Sequence, residues 1–281
     1  MRGVMIQGTA SNVGKSLLTT ALCRLFAEKG YGAAPFKAQN MSNRTIQTED
    51  GKEMSVAQAQ QAEAAGLTPS VCMNPIVLKP SGDHRTEVIF MGDTISTING
   101  SDYQKSWHNE AKQTIQSALK QLEKQFDFIF LEGAGSPVEM NLKARDLANM
   151  AAAEMADVPV ILTADIDRGG AFASIVGTLA LLGQGERQRV KGLIINKFHG
   201  DVTSFASGSE WLEAYTGVPV LGVIPHIEHN LLEEDSLSTQ EVPADNEVEK
   251  EATYEKLARH VEKHLDSRKL LNIMLGETHA H

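Results

Sequence analysis

Residues 8–16 read GTASNVGKS, immediately after a short apolar run at residues 3–7 and at the start of a segment of helical spacing over residues 15–29. A glycine-rich turn ending in Gly-Lys-Ser at a strand-to-helix junction leaves few alternatives, because the N–H groups of the turn and of the helix N-terminus converge on one point and favour an anion there. Lys15 adds a point charge toward that anion, and the Ser16 hydroxyl suits a divalent cation. Gly8, Thr9, Asn12, Val13, Gly14, Lys15, Ser16 and Leu17 are the candidate phosphate-binding residues. Five residues lie between Gly8 and Gly14, one more than in the common pattern, and Thr9 stands where a glycine is usual. A glycine-rich turn without a ligand is the bland alternative, and Gly-Lys-Ser at this junction disfavours it.

Apolar runs recur at residues 33–36, 87–90, 127–131, 158–163, 191–196 and 218–224, and helical spacing recurs at residues 103–124, 171–182 and 204–215. Several of the runs are almost continuous in Val, Ile, Leu and Phe. Strands that are apolar on both faces and alternate with helices predict an α/β fold, a P-loop NTPase-type, mostly parallel sheet with helices on both faces. A formal charge of -10 with no long run of Lys or Arg gives no footprint for a phosphate backbone or an anionic bilayer, so neither nucleic acid nor membrane is expected as a partner. Cys23 and Cys72, both in apolar contexts, fit a reduced compartment, and no window approaches the ~20 apolar residues of a membrane span, so a cytoplasmic location is expected. Residues 233–251 carry eight acidic residues and almost no large apolar group, the composition of a linker. Tyr254, Leu257, Val261 and Leu265 then fall at helical spacing and predict a C-terminal helix over 252–276, docked on the main domain or on a partner.

The run at residues 126–136, FDFIFLEGAGS, ends in Glu132 at the C-terminal edge of the sheet, where ligands of open α/β sheets bind. Glu132 is the candidate metal carboxylate beside Ser16. VPVILTADIDRGG releases Asp165, Asp167 and Arg168 at the same edge, although an ordinary capped turn reads equally well. KGLIINKF ends with Asn196 and Lys197; the Asn196 amide can read a purine edge, and His199 stands where a guanine-specific pattern has aspartate. PFKAQNMS places Lys37, Gln39 and Asn40 after the second strand, a cation and two amides suited to a carboxylate or phosphate, with a merely solvated lysine as the local alternative. Neither cysteine has the Gly-x-Cys-x-Gly setting of a glutaminase nucleophile, no Gly-x-Ser-x-Gly occurs, and the histidines show no ligand spacing, so hydrolase and zinc-enzyme readings are poor.

GTASNVGKS, PFKAQNMS, QAEAAG, MNPIVLKP, EGAGSPVEMNL, ADIDRGGAFA, GTLALL, KGLIINKF and TGVPVLGVIP, in that order over residues 1–236, resemble the cobyric acid synthase family and, more widely, dethiobiotin synthetase. The resemblance implies an ATP-dependent amidoligase of cobalamin biosynthesis that amidates side-chain carboxylates of a corrinoid, adenosylcobyrinic acid a,c-diamide, with ATP and Mg2+ as cofactors. ATP phosphorylates the carboxylate, and ammonia released from glutamine displaces the phosphate. The resemblance further implies Lys15 and Ser16 on phosphates and magnesium, Glu132 on magnesium and Asn196 near the adenine. Lys37, Gln39, Asn40, Asn141, Asp146 and Asp165 would face substrate or metal, with Lys15, Lys37, Asp146 and Asp165 catalytic and Gln39, Asn40 and Asn141 binding substrate.

On this resemblance residues 1–232 form the synthetase domain. Family members carry a glutamine amidotransferase domain after it; here the acidic stretch 233–251 stands in its place, and residues 254–273 resemble the segment with which family members end. Ammonia from solution or from a separate glutamine amidotransferase subunit is therefore expected, and an oligomer is compatible with the sequence. SGDHRTEVI departs from the family wording, so substrate contacts at residues 83–86 are expected to differ. The rival reading is a nucleotide switch of the partition or septum-site type, but the signature lysine early in its loop is replaced here by Gly8, Thr9 and Ala10, and where its membrane-directed tail is a basic amphipathic helix, the tail here follows an acidic linker. A third reading is a related ligase with another carboxylate substrate.

Overall fold

A computed structural model describes residues 1–81, 85–99, 107–229, 231 and 247–277. Residues 83–84, the start of the helix expected from 103 and most of the acidic stretch lie outside the described residues. In chain order the elements are β1 (Gly3–Gly8), α1 (Lys15–Glu28), β2 (Ala33–Phe36), β3 (Gln39–Met41), β4 (Thr45–Gln47), β5 (Glu53–Ser55), α2 (Val56–Ala64), β6 (Ile76–Ser81), β7 (Arg85–Phe90), β8 (Asp93–Asn99), α3 (His108–Glu123) and β9 (Phe128–Glu132). They continue with α4 (Met150–Ala156), β10 (Val160–Asp165), α5 (Ala171–Leu181), α6 (Gln184–Arg189), β11 (Val190–Phe198), α7 (Ala206–Thr216), β12 (Val220–Pro225), α8 (Glu247–His264) and α9 (Ser267–Leu275).

The main sheet has six strands in the order β12-β11-β10-β1-β9-β2, every neighbouring pair parallel. Parallel strands need crossover helices and are covered on both faces, and the alternation within each strand shows both. Val4 and Ile6 of β1, with Phe128 and Phe130 of β9, point to a layer containing Leu18, Leu22 and Phe26 of α1 and Leu257 and Val261 of α8. Met5, Ile129 and Leu131 point the other way, into a layer with Ile115, Leu119 and Leu122 of α3 and Ile175 and Leu179 of α5. In α3 that buried stripe sits at helical spacing on an otherwise polar helix, which is why the segment folds as it does. The chain crosses β1 between β9 and β10, so a crevice opens beside the C-terminal end of β1.

Two expectations are corrected. The apolar run at 87–90 is not part of the parallel sheet: it lies in β7, in a separate sheet ordered β3-β6-β7-β8 in which β7 is antiparallel to both neighbours. Ile76, Leu78, Val88 and Phe90 of that sheet still drain into the main core, so the run is apolar for burial and carries no mark of its pairing direction. The C-terminal segment is two helices, and the first begins at Glu247, inside the stretch expected to be linker. Asp266 interrupts them, its carboxylate accepting from Lys269 N at 3.0 Å as the cap of α9. Of the two docking alternatives, α8 takes the main domain. Among the described residues no helix is long and apolar enough to cross a membrane.

Candidate functional site

The loop from β1 to α1 ends in Gly14, whose φ of 96 lies in the left-handed region, and no side chain caps α1. The first-turn N–H groups of α1 therefore face the crevice, where an anion can accept from them. Asn196, arriving at the end of β11, donates Nδ2–H to Val13 O at 2.8 Å and clamps the loop from across the sheet. A Cβ on Gly14 would overlap Asn196 Nδ2. Gly14→Ala combines that overlap with an unfavourable φ, and titration calorimetry with ADP should show at least a tenfold loss of affinity while the far-ultraviolet circular dichroism stays native. Lys15, 7% exposed, points its ammonium at Ala10 O (3.2 Å) and Gly135 O (3.3 Å), spanning the phosphate loop and the loop after β9.

Glu132 is the hub. It is 1% exposed at the end of β9, and its Oε1 accepts from Ser16 Oγ at 2.7 Å and from Lys37 Nζ at 3.1 Å, while Oε2 accepts from Gln61 Nε2 at 2.7 Å. Burial alone would raise its pKa; the Lys37 charge, the Ser16 and Gln61 hydrogen bonds and the Lys15 charge outweigh it and hold the carboxyl below the usual glutamate range. Lys37, 3% exposed, is thus a buried ion-pair partner, and the solvated-lysine alternative is set aside.

These groups line a cavity of about 240 Å³ at the C-terminal edge of the sheet. Ser11, Asn12, Gly14, Lys15, Ser16 and Leu17 form its floor, Lys37, Asn40, Met41 and Glu132 one wall, and Asn196, Lys197, Pro225, His226 and Ile227 the other. A larger hollow of about 1330 Å³ opens at the opposite edge of the sheet, beside Pro159, Lys191, Pro219 and Ile273. The chemistry follows the smaller cavity, onto which the phosphate loop and the buried lysines converge.

The remaining sequence candidates divide. Asn40 lines the cavity, yet its Nδ2 is committed to Ser55 Oγ (2.7 Å) and Gln58 Oε1 (3.0 Å), and Gln39 precedes it on β3. Asp165 pairs with Lys197 at 3.1 Å and accepts from Asp167 N at 2.8 Å. Lys197 in turn donates to Asn12 O at 2.6 Å, so Asp165 reaches the loop through it. Asp146 accepts from the N–H groups of Ala148 (2.8 Å) and Asn149 (3.2 Å); burial, with the Glu186 charge, outweighs those bonds and pushes its carboxyl up. Asn141 is exposed in the turn before it.

Sequence reasoning missed Gln61, which sits in QAEAAG as one polar residue of an alanine-rich helix, and Asn149, whose amide closes two 2.9 Å bonds with the backbone of Ala134. Only a polar side chain on the buried face of α2 could have signalled Gln61. Asn149 reads as an ordinary helix-entry residue.

The CobQ/CobB/MinD/ParA nucleotide binding domain profile matches residues 4–237. The chain belongs to this nucleotide-binding family. Within it, the cobyric acid synthase of Citrobacter koseri is 53% identical over 239 residues, 85% of this chain and 47% of that protein. The cobyric acid synthase of Salmonella gallinarum is 52% identical over the same shares. The chain thus spans about half the length of the curated relatives it matches. Among solved structures, the MinD cell division protein of Aquifex aeolicus is 13% identical, covering 99% of this chain and 98% of its own with a TM-score of 0.47.

Proposed function

We propose that this chain is an ATP-dependent amidoligase acting on corrinoid side-chain carboxylates, those of adenosylcobyrinic acid a,c-diamide, through a phosphorylated carboxylate. One observation carries the reading: Ser16, from the floor of the cavity, and Lys37, from its wall, converge on the same buried oxygen, Glu132 Oε1. A nucleotide switch needs only the loop and a cation site. A buried ammonium across from the loop adds a place for a second anion, the acceptor carboxylate.

Magnesium fits the donors present. Among the described residues no three His, Cys, Asp or Glu side chains cluster, so a cation here would be held by Ser16 and Glu132 with nucleotide and water oxygens, a mixed oxygen set that magnesium favours. Beside Glu132, the buried Gln61 Oε1 has no hydrogen-bond partner among the described residues, an acceptor that a hydrated cation would satisfy. The ion would offset charge on the phosphates.

Lys15 holds the terminal phosphates, and Lys37 orients the acceptor carboxylate toward them. A carboxylate oxygen attacks the γ-phosphorus, the bond to the bridging oxygen breaks and ADP departs. Ammonia then adds to the acyl carbon and phosphate leaves with release of one proton, giving the amide. Asp165 acts through Lys197, and Asp146 shapes the turn before α4. Gln39 and Asn141 would meet the corrinoid outside the cavity. Ammonia comes from solution or from a separate amidotransferase subunit.

Mass spectrometry of the corrinoid after incubation with ATP, magnesium and ammonium tests this. Amides should form with ammonium, and glutamine alone should give none. Unchanged corrinoid together with lipid- or DNA-stimulated ATP hydrolysis would replace the ligase reading by a nucleotide switch.

A further inference from the structure

The cavity has two ends. Lys15, Ser16, Lys37 and Glu132 stand at one; Asn196, Pro225, His226 and Ile227 stand at the other, where β11 and β12 end. A nucleotide with its phosphates in the loop lies along this edge and presents its base to the second end. The wall there is the extension of β12, and it is gripped from outside by α8, an element beyond the residues 4–237 that match the family.

Lys256 and His260 lie one turn apart on α8, on one face. His260 Nε2 is 2.8 Å from Pro225 O; since a carbonyl only accepts, Nε2 carries the proton. Lys256 Nζ donates to Glu228 O at 3.1 Å. The helix is itself fixed to β12. Leu257 and Val261 are fully buried, Asp266 N donates to Leu221 O at 2.8 Å, and a Cβ on Gly222 would overlap His264 O. Burial lowers the His260 pKa, helped by Lys256, Lys263 and His264 and opposed by the Pro225 carbonyl, and a neutral imidazole keeps the Nε2–H bond.

We propose that Lys256 and His260 are positioning residues that set the base-side wall of the nucleotide cavity, which makes α8 a working part of the nucleotide site. The inference rests on the nucleotide-site half of the proposed function and is independent of the corrinoid half. Neither side chain need touch the nucleotide; each fixes a backbone carbonyl of the segment that does. Their removal should therefore weaken recognition of the nucleoside and spare that of the phosphates.

Titration calorimetry on the full chain with ADP and, separately, with inorganic tripolyphosphate separates the two. Lys256→Ala and His260→Ala should each weaken ADP binding about threefold to tenfold, the worth of one hydrogen bond, and change tripolyphosphate binding by less than about twofold. His260→Gln, which keeps a donor, should recover most of the loss. Lys256 is exposed, so its variant keeps the fold even where His260→Ala does not. ADP affinity unchanged in Lys256→Ala, or equal losses for both ligands, would overturn the proposal. Wild-type protein that binds neither ligand would overturn the nucleotide-site reading itself, and this inference with it.

Discussion

Lys15→Ala should lower ATP-dependent amidation about a thousandfold, with a melting temperature close to wild type. The Lys15 ammonium is almost fully enclosed and already aimed between Ala10 O and Gly135 O, so it is organised before any phosphate arrives. Preorganised charge inside a low-dielectric cavity acts most strongly where negative charge builds up during transfer, which places the larger loss in kcat and a smaller one in ATP affinity. Alanine removes the charge and leaves the backbone N–H groups of the loop to bind phosphate weakly. Single-turnover measurements with saturating ATP would show it, and turnover within tenfold of wild type would remove Lys15 from the mechanism.

The second large effect is on stability. Glu132→Ala leaves the Lys37 ammonium, 3% exposed, without its counter-charge, and breaking a buried pair from one side costs about 3–5 kcal/mol. For a domain of this size that corresponds to a melting temperature lower by about 10 °C. Glu132→Leu combined with Lys37→Met should recover most of the loss, because an apolar pair of similar volume has no charge to desolvate. The pH dependence has a fixed sign. The folded-state pKa of Glu132 is depressed, so its contribution is complete above the ordinary glutamate range near ~4.3 and is lost as pH falls through the depressed value. Thermal denaturation should show a wild-type to Glu132→Ala gap that is constant near neutrality and narrows only in strong acid. A gap that narrows between pH 8 and 6 would contradict the assignment.

The phosphate loop and the carboxylate on β9 were legible because each joins a local pattern to a forced position: a glycine turn must precede a helix, and a polar residue ending an apolar strand must lie at the sheet edge. Lys37 was legible as a position, while its burial against Glu132 depends on residues 95 apart and leaves no local trace. The short strands β3, β4 and β5 are three-residue pieces with mixed burial, too brief for any period to emerge. Asn196 stood out as a candidate base reader; that one of its two N–H donors is given to Val13 O follows only from the approach of β11 to the loop, a tertiary fact.

That approach has a consequence for the protein during its own synthesis. The loop at the start of the chain takes its shape from Asn196, 183 positions downstream of Val13, and its lysine is seated by Gly135, 120 positions downstream of Lys15. At about 5–20 residues per second a ribosome needs roughly 10–40 s to span the longer interval. Over that time the nascent segment carries the Gly-Lys-Ser wording without the two partners that clamp its loop and seat its lysine.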